Sequence, residues 1–228
     1  MNEIIEISNG KGNIHIKGNA MESYLYIKKK PKIAIFFVNY NTILRYQIST
    51  EITQEILQEN YIYENIVSNG ILQKKLSLSE QFSHLTQLLT NGLYLLSYEK
   101  SEFQVQITSI SPFEGSYGRT VCFSATQSYI NSAFVEHYKK KIKAGIYPIP
   151  VLLKIKDSNT QYILDGHHKL KAYQDLKIKP YTLTINKLQS DDIETHKGIE
   201  IMNLIDYNNT QKIIDVYTKQ KSQKIDFS

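Results

Sequence analysis

One short stretch constrains this chain more than any other: the apolar run Tyr162-Ile163-Leu164, broken at Asp165-Gly166 and resumed in a different period. Tyr162 to Leu164 has the composition of a buried strand. Leu170, Ala172, Tyr173 and Leu176 then recur at helical spacing, which predicts a helix from about His167. A strand, a tight glycine turn and a helix N-terminus together form an anion site. Glycine lets the backbone approach a ligand, and the first amides of the helix point at it. His167, His168 and Lys169 occupy that first turn. Cations there oppose the helix dipole, so their presence points to a bound anion such as a phosphate. The plainer reading is that Asp-Gly is turn chemistry and that Asp165 caps the helix.

The flanking elements narrow the choice. A helix is predicted to end near Ala144-Gly145, followed by Tyr147-Pro148-Ile149-Pro150-Val151-Leu152-Leu153, a polar turn at Lys156 to Thr160, and then Asp165-Gly166-His167-His168-Lys169. In that order, from about Val105 to Leu188, the chain resembles the ParB/sulfiredoxin-like superfamily, which includes the amino-terminal domain of ParB partition proteins, the sulfiredoxins and the free serine kinases. The resemblance implies a nucleotide (ATP/ADP or CTP) with Mg2+ as companion ion, held by Asp165, Gly166, His167, His168 and Lys169. Arg119 is of the type that pairs with a phosphate or carboxylate, and equally of the type that stands as a structural surface arginine. In the serine kinases a glutamate after the first strand is the catalytic base. Pro112-Phe113-Glu114 is similar, with Phe113 in place of the family's histidine. The resemblance therefore implies a phosphotransferase acting on a hydroxyl acceptor, with Glu114 as base and His168 stabilising charge. Lys169 departs from the family's arginine and meets a phosphate as a point charge rather than a fork. Sulfiredoxin chemistry fits poorly, because Asp165 stands where that family has a cysteine.

A second reading stays open beside the kinase-like one: a non-catalytic ParB-like nucleotide switch, or a nucleic-acid-binding or interaction module. The departures at Phe113 and Lys169 favour it. No helix-turn-helix pattern follows the domain. Tyr147 and Tyr181 are of the type that stacks on bases, though tyrosine is abundant throughout the chain. Zinc is set aside: adjacent histidines on a helix diverge by about 100°, and no Cys-x-x-Cys or His-Glu-x-x-His is present.

Composition adds bounds. Over 228 residues, 41% hydrophobic and 21% charged content is that of a globular chain. A net charge of +5 suits anionic ligands, but lysine, isoleucine, asparagine and tyrosine are enriched together, so the charge says little about nucleic acid. Cys122 is the one cysteine, which excludes an intrachain disulfide and suggests a reducing compartment. The amino terminus lacks a basic region, and the longest apolar run, Ile33 to Val38, is too short to cross a bilayer. A cytoplasmic protein with no membrane partner is expected.

The expected class is α+β: a strand-rich region over 1–100 packed on a ParB/sulfiredoxin-like α/β domain over 101–190, with a C-terminal helix and polar tail over 191–228. Period-two alternation predicts strands at Ile5–Ile7, Ile14–Ile16 and Tyr24–Ile27; the continuous apolar run Ile33–Val38 predicts a buried strand, and Tyr40–Ile48 reads as another. Helices are expected from Thr50, over Ser77–Thr90, over Thr126–Ala144 with Thr126 as cap and Ile130, Phe134, Tyr138 and Ile142 on one face, and from Asp191. Phe103–Ile110 reads as a strand leading into a two-glycine loop over Ser111–Arg119. The lysines of 139–141 and Lys143 read as a solvated basic face.

Overall fold

Alternating strands become two sheets in the computed structural model, which describes residues 1–19, 22–28, 30–39, 42–47, 61–101, 107–108, 122–126, 130–158 and 160–190. The strands are β1 (Asn2–Ile7), β2 (Ile14–Gly18), β3 (Glu22–Ile27), β4 (Lys30–Asn39), β5 (Thr42–Gln47), β6 (Gly92–Lys100), β7 (Ile107–Thr108), β8 (Cys122–Ser124), β9 (Val151–Ile155), β10 (Thr160–Asp165) and β11 (Tyr181–Lys187). The helices are α1 (Tyr61–Asn69), α2 (Leu78–Gln81), α3 (Ser83–Thr86), α4 (Ser132–Lys143) and α5 (His167–Leu176). The class is α+β.

A seven-stranded sheet runs in the order β1-β6-β11-β9-β10-β8-β7, and a four-stranded antiparallel sheet in the order β2-β3-β4-β5. β9 lies between β11, to which it is parallel, and β10, its antiparallel hairpin partner. Val151, Leu152 and Leu153 are all fully buried, as expected for a strand covered on both faces. β6, from the first hundred residues, lies between β1 and β11.

One face of the large sheet meets the small one across a core that includes Ile16, Leu25, Leu96, Leu153 and Leu164. Two polar ties cross it. The hydroxyls of Ser23 and Tyr162 lie 2.6 Å apart, and Lys187 Nζ donates to the Ile16 carbonyl at 3.3 Å. The opposite face carries α4 and α5 over Leu152 and Ile163, with Val135, Ile142, Leu170 and Tyr173 filling the gap.

Three sequence expectations are corrected. The helix expected over Ser77–Thr90 is two single turns, α2 and α3, broken at Phe82 (φ −109°, ψ 22°) and finished by Thr86. Its apolar face is nonetheless buried at Leu78, Phe82, Leu85, Leu88 and Leu89. Past its end, the segment entering β2 pairs with the chain: Lys11, Gly12 and Ile14 donate N–H bonds to the carbonyls of Gln87, Leu89 and Leu88. Second, α4 begins at Ser132 with Asn131 as its cap, the Asn131 side chain accepting from the Ala133 N–H at 2.9 Å. Third, Phe134 is 54% exposed, while Val135 and Ile142 carry the buried face of α4. α1, β6 and β8 arise where no element was expected.

The expected helices from Thr50 and Asp191, the Ser111–Arg119 loop and the polar tail lie outside the described residues. Among the described residues no helix is long and apolar enough to cross a membrane.

Candidate functional site

The corner after β10 is built by three local devices. The first is a register shift: Ile163 pairs with Leu152 and Asp165 with Val151, so Leu164 is an extra residue and the strand is re-aimed just before it ends. The second is Gly166, at φ 103° and ψ 28°, a left-handed conformation open to glycine. The third is the start of α5. Its first internal bond runs from the Leu170 N–H to the Gly166 carbonyl at 2.7 Å. The amides of His167, His168 and Lys169 form the first turn, the positive end of the helix, and Gly166 provides no side-chain cap.

The Asp165 carboxylate accepts from Lys169 Nζ at 2.7 Å, one turn on. The lysine is 2% exposed. It also reaches the Ile149 carbonyl at 3.4 Å and lies 6.0 Å from the centre of the Tyr138 ring. Its charge is therefore answered inside the protein.

The two imidazoles face different ways. His167 is buried, and its Nε2 accepts the Thr126 N–H at 2.8 Å. Thr126 lies five residues before the Asn131 cap of α4, and its hydroxyl donates to the Ile163 carbonyl at 2.5 Å. An accepting Nε2 carries no proton, so the neutral ring holds its proton on Nδ1. His168 sits at the rim. Its Nε2 accepts the Asn131 N–H at 3.0 Å, and its ring lies tilted against Phe134 with centroids 5.4 Å apart. The amino ends of α4 and α5 therefore meet at His168. Both histidines act as neutral acceptors for backbone amides at either end of the 126–131 segment.

Burial holds the His168 imidazolium below the usual histidine range; Asp165 opposes that effect and Lys169 adds to it. A lowered folded pKa means that the unfolded chain takes up the proton first. Stability from this group is full above about pH 6.5, the unfolded value, and is lost as pH falls through the folded pKa. The melting temperature is expected to drop between pH 7 and 5, and His168→Gln to flatten that drop. An unchanged slope in the variant would remove His168 from the account.

Of the residues expected at the site, Asp165, Gly166, His167, His168 and Lys169 form one corner. Glu114 and Arg119 lie outside the described residues. Sequence reasoning missed Thr126 and Asn131 as imidazole partners, and Pro150, whose Cα would lie 3.0 Å from a Cβ placed on Gly166. The Asn131-Ser132 pair was a readable cap signal; the other two contacts are tertiary. Among the described residues no cluster of histidine, cysteine, aspartate and glutamate is fit to hold a metal ion. Comparison of the chain with family models, curated proteins and solved structures gives no match.

Proposed function

We propose that the chain is a phosphate- or nucleotide-binding protein of ParB/sulfiredoxin-like fold, in which the main chain of Gly166 to Lys169 receives the phosphate. One observation carries the reading: α5 opens on a left-handed glycine at the end of a bulged strand. Amides so placed, at the positive end of a helix, suit an anion. The order of elements supports the family resemblance. α4 leads through Pro148-Ile149-Pro150 into the β9–β10 hairpin, then into Asp165-Gly166, α5 and β11.

The side chains favour the non-catalytic form over the phosphotransferase. His167 and His168 accept backbone N–H bonds and Lys169 is neutralised by Asp165, so none is held as a cation waiting for phosphate. Catalysis would rest on Glu114 as base, with ATP and Mg2+ as co-substrate and ion.

Thermal shift with ATP, ADP, CTP and inorganic phosphate, each with and without Mg2+, tests the proposal. A ligand at a hundred times its Kd adds about 2.7 kcal/mol, or roughly 5–10 °C for a chain of this size. No shift with any of them would sink the reading. A shift with no phosphoryl transfer to hydroxyl acceptors, unaltered by Glu114→Ala, identifies a binding module. Transfer abolished by Glu114→Ala identifies the enzyme.

A further inference from the structure

One end of the large sheet collects exposed rings and lysines that the corner does not use. β6 ends there and β11 begins. The rings of Tyr98 and Tyr181 stack with centroids 5.4 Å apart and 24° between planes. Tyr181 is 44% exposed and stands opposite Lys100 in the strand register. Val151 pairs with Leu183 in the parallel β9–β11 register, so the residues leading into β9 run beside those leading into β11. That brings Tyr147, 49% exposed, to the same end.

The backbone presenting Tyr147 is fixed. The Tyr173 hydroxyl donates to the Pro148 carbonyl at 2.9 Å, and the Ile149 N–H to the Val67 carbonyl at 2.7 Å. A Cβ on Gly70 would come within 2.0 Å of the Tyr147 carbonyl oxygen, so α1 ends directly against it. Rings held this way lose little freedom on binding a flat partner.

The surrounding charge is positive. Lys100 ends β6, Lys177 closes α5, and Lys143 ends α4 three residues before Ile146-Tyr147; all three lysines are exposed. Among the acids of β6, α4 and α5, alternation along β6 turns Glu99 away from Tyr98 and Lys100, toward the face that carries α4 and α5. Glu136 and Asp175 are ion-paired to Lys139.

Rings alone would suit a sugar, and lysines alone would suit any acidic surface. A single strand of nucleic acid offers both a stackable base and a phosphate at each step, whereas a duplex hides its base faces. We propose that this end of the sheet binds single-stranded nucleic acid, with bases stacking on Tyr181 and Tyr147 and phosphates meeting Lys100, Lys143 and Lys177. The surface lies at the same end of the sheet as the Gly166 corner, which meets the Tyr147 segment at Pro150, but it uses none of the corner's residues, and its test reads these rings and lysines rather than nucleotide binding at the corner.

Fluorescence anisotropy with labelled 12-nucleotide dT and U strands, and with a DNA hairpin of equal charge, at 50 and 200 mM NaCl, decides it. The single strands should bind better than the hairpin. With two or three phosphate contacts, affinity should fall roughly tenfold over that salt range. Tyr181→Ala and Tyr147→Ala should each weaken binding roughly tenfold, and Tyr181→Phe should not. Lys100→Gln with Lys177→Gln should reduce the salt dependence. Tyr147 is exposed, so its truncation keeps the test valid if the Tyr181 variant unfolds, as judged by circular dichroism. The proposal fails if single strands do not bind, if the hairpin binds as well, or if removing the rings changes nothing.

Discussion

Asp165→Asn is expected to destabilise the protein by about 2–3 kcal/mol, and adding Lys169→Met to restore it to within about 1 kcal/mol of wild type. The asymmetry follows from burial. The Lys169 side chain is 3% exposed and that of Asp165 27%. Removing the carboxylate strands an ammonium group whose further contacts are the Ile149 carbonyl at 3.4 Å and the face of Tyr138. Removing a partner from a fully buried pair costs about 3–5 kcal/mol; partial exposure of Asp165 lets water screen the pair and lowers the figure. Methionine fills the lysine's channel without a charge to satisfy. Urea denaturation of the two single variants and the double variant gives the cycle. Lys169→Met carries a second readout: if the ammonium group also helps a bound phosphate, nucleotide binding falls while stability holds.

Gly166→Ala is expected to cost about 2–4 kcal/mol and to abolish any anion binding at the corner. Two costs combine. A side chain at φ 103° is strained by about 1–3 kcal/mol, and the new Cβ would sit 3.0 Å from Pro150 Cα and 3.1 Å from Lys169 Cδ. Overpacking of that kind costs a further 1–3 kcal/mol. Neither neighbour yields easily. The Pro150 carbonyl accepts the Leu183 N–H at 3.0 Å, which ties β9 to β11, and the lysine is pinned by Asp165. A melting temperature within 2 °C of wild type would show that the turn relaxes and that glycine is not required there.

The sequence foretold the corner's backbone better than its side chains. Strand, break and helix were legible because the change from an apolar run to helical spacing falls at one glycine, and β10 and α5 begin and end within a residue or two of the expected places. The hairpin partner was legible for the same reason: Pro148 and Pro150 bound an unbroken apolar run. What the chain does with His167, His168 and Lys169 was not legible, because it depends on Thr126, Asn131 and Ile149, which are brought in by folding. Read alone, His-His-Lys at a helix start is a cationic turn. In the fold the first imidazole points inward, the second points sideways, and the lysine folds back on its own aspartate.

The same distinction explains the errors elsewhere. Ser77–Thr90 has a helical apolar face, and that face is buried as the pattern required. The backbone breaks at Phe82, and the carbonyls of 87–89 accept from residues 11–14, a contact about 75 residues away in sequence that no local pattern encodes. β6 could have been read from the apolar run Leu93 to Leu96 after Asn91-Gly92; its place between β1 and β11 is a tertiary fact. The capping residue of α4 was misassigned for a local reason that could have been caught. Thr126 and Asn131 both suit the role, and Asn131 lies directly before the first residue that the helix keeps.

The corner's role as an anion site is tested most directly by recording backbone amide shifts of the 15N-labelled protein while titrating inorganic phosphate, and then ATP and CTP, at constant ionic strength. The account predicts saturable, downfield movement of the Gly166, His167, His168 and Lys169 amides, larger than at any other helix start. Amides that stay still at millimolar ligand, or that move no more than those at the start of α4, would contradict it.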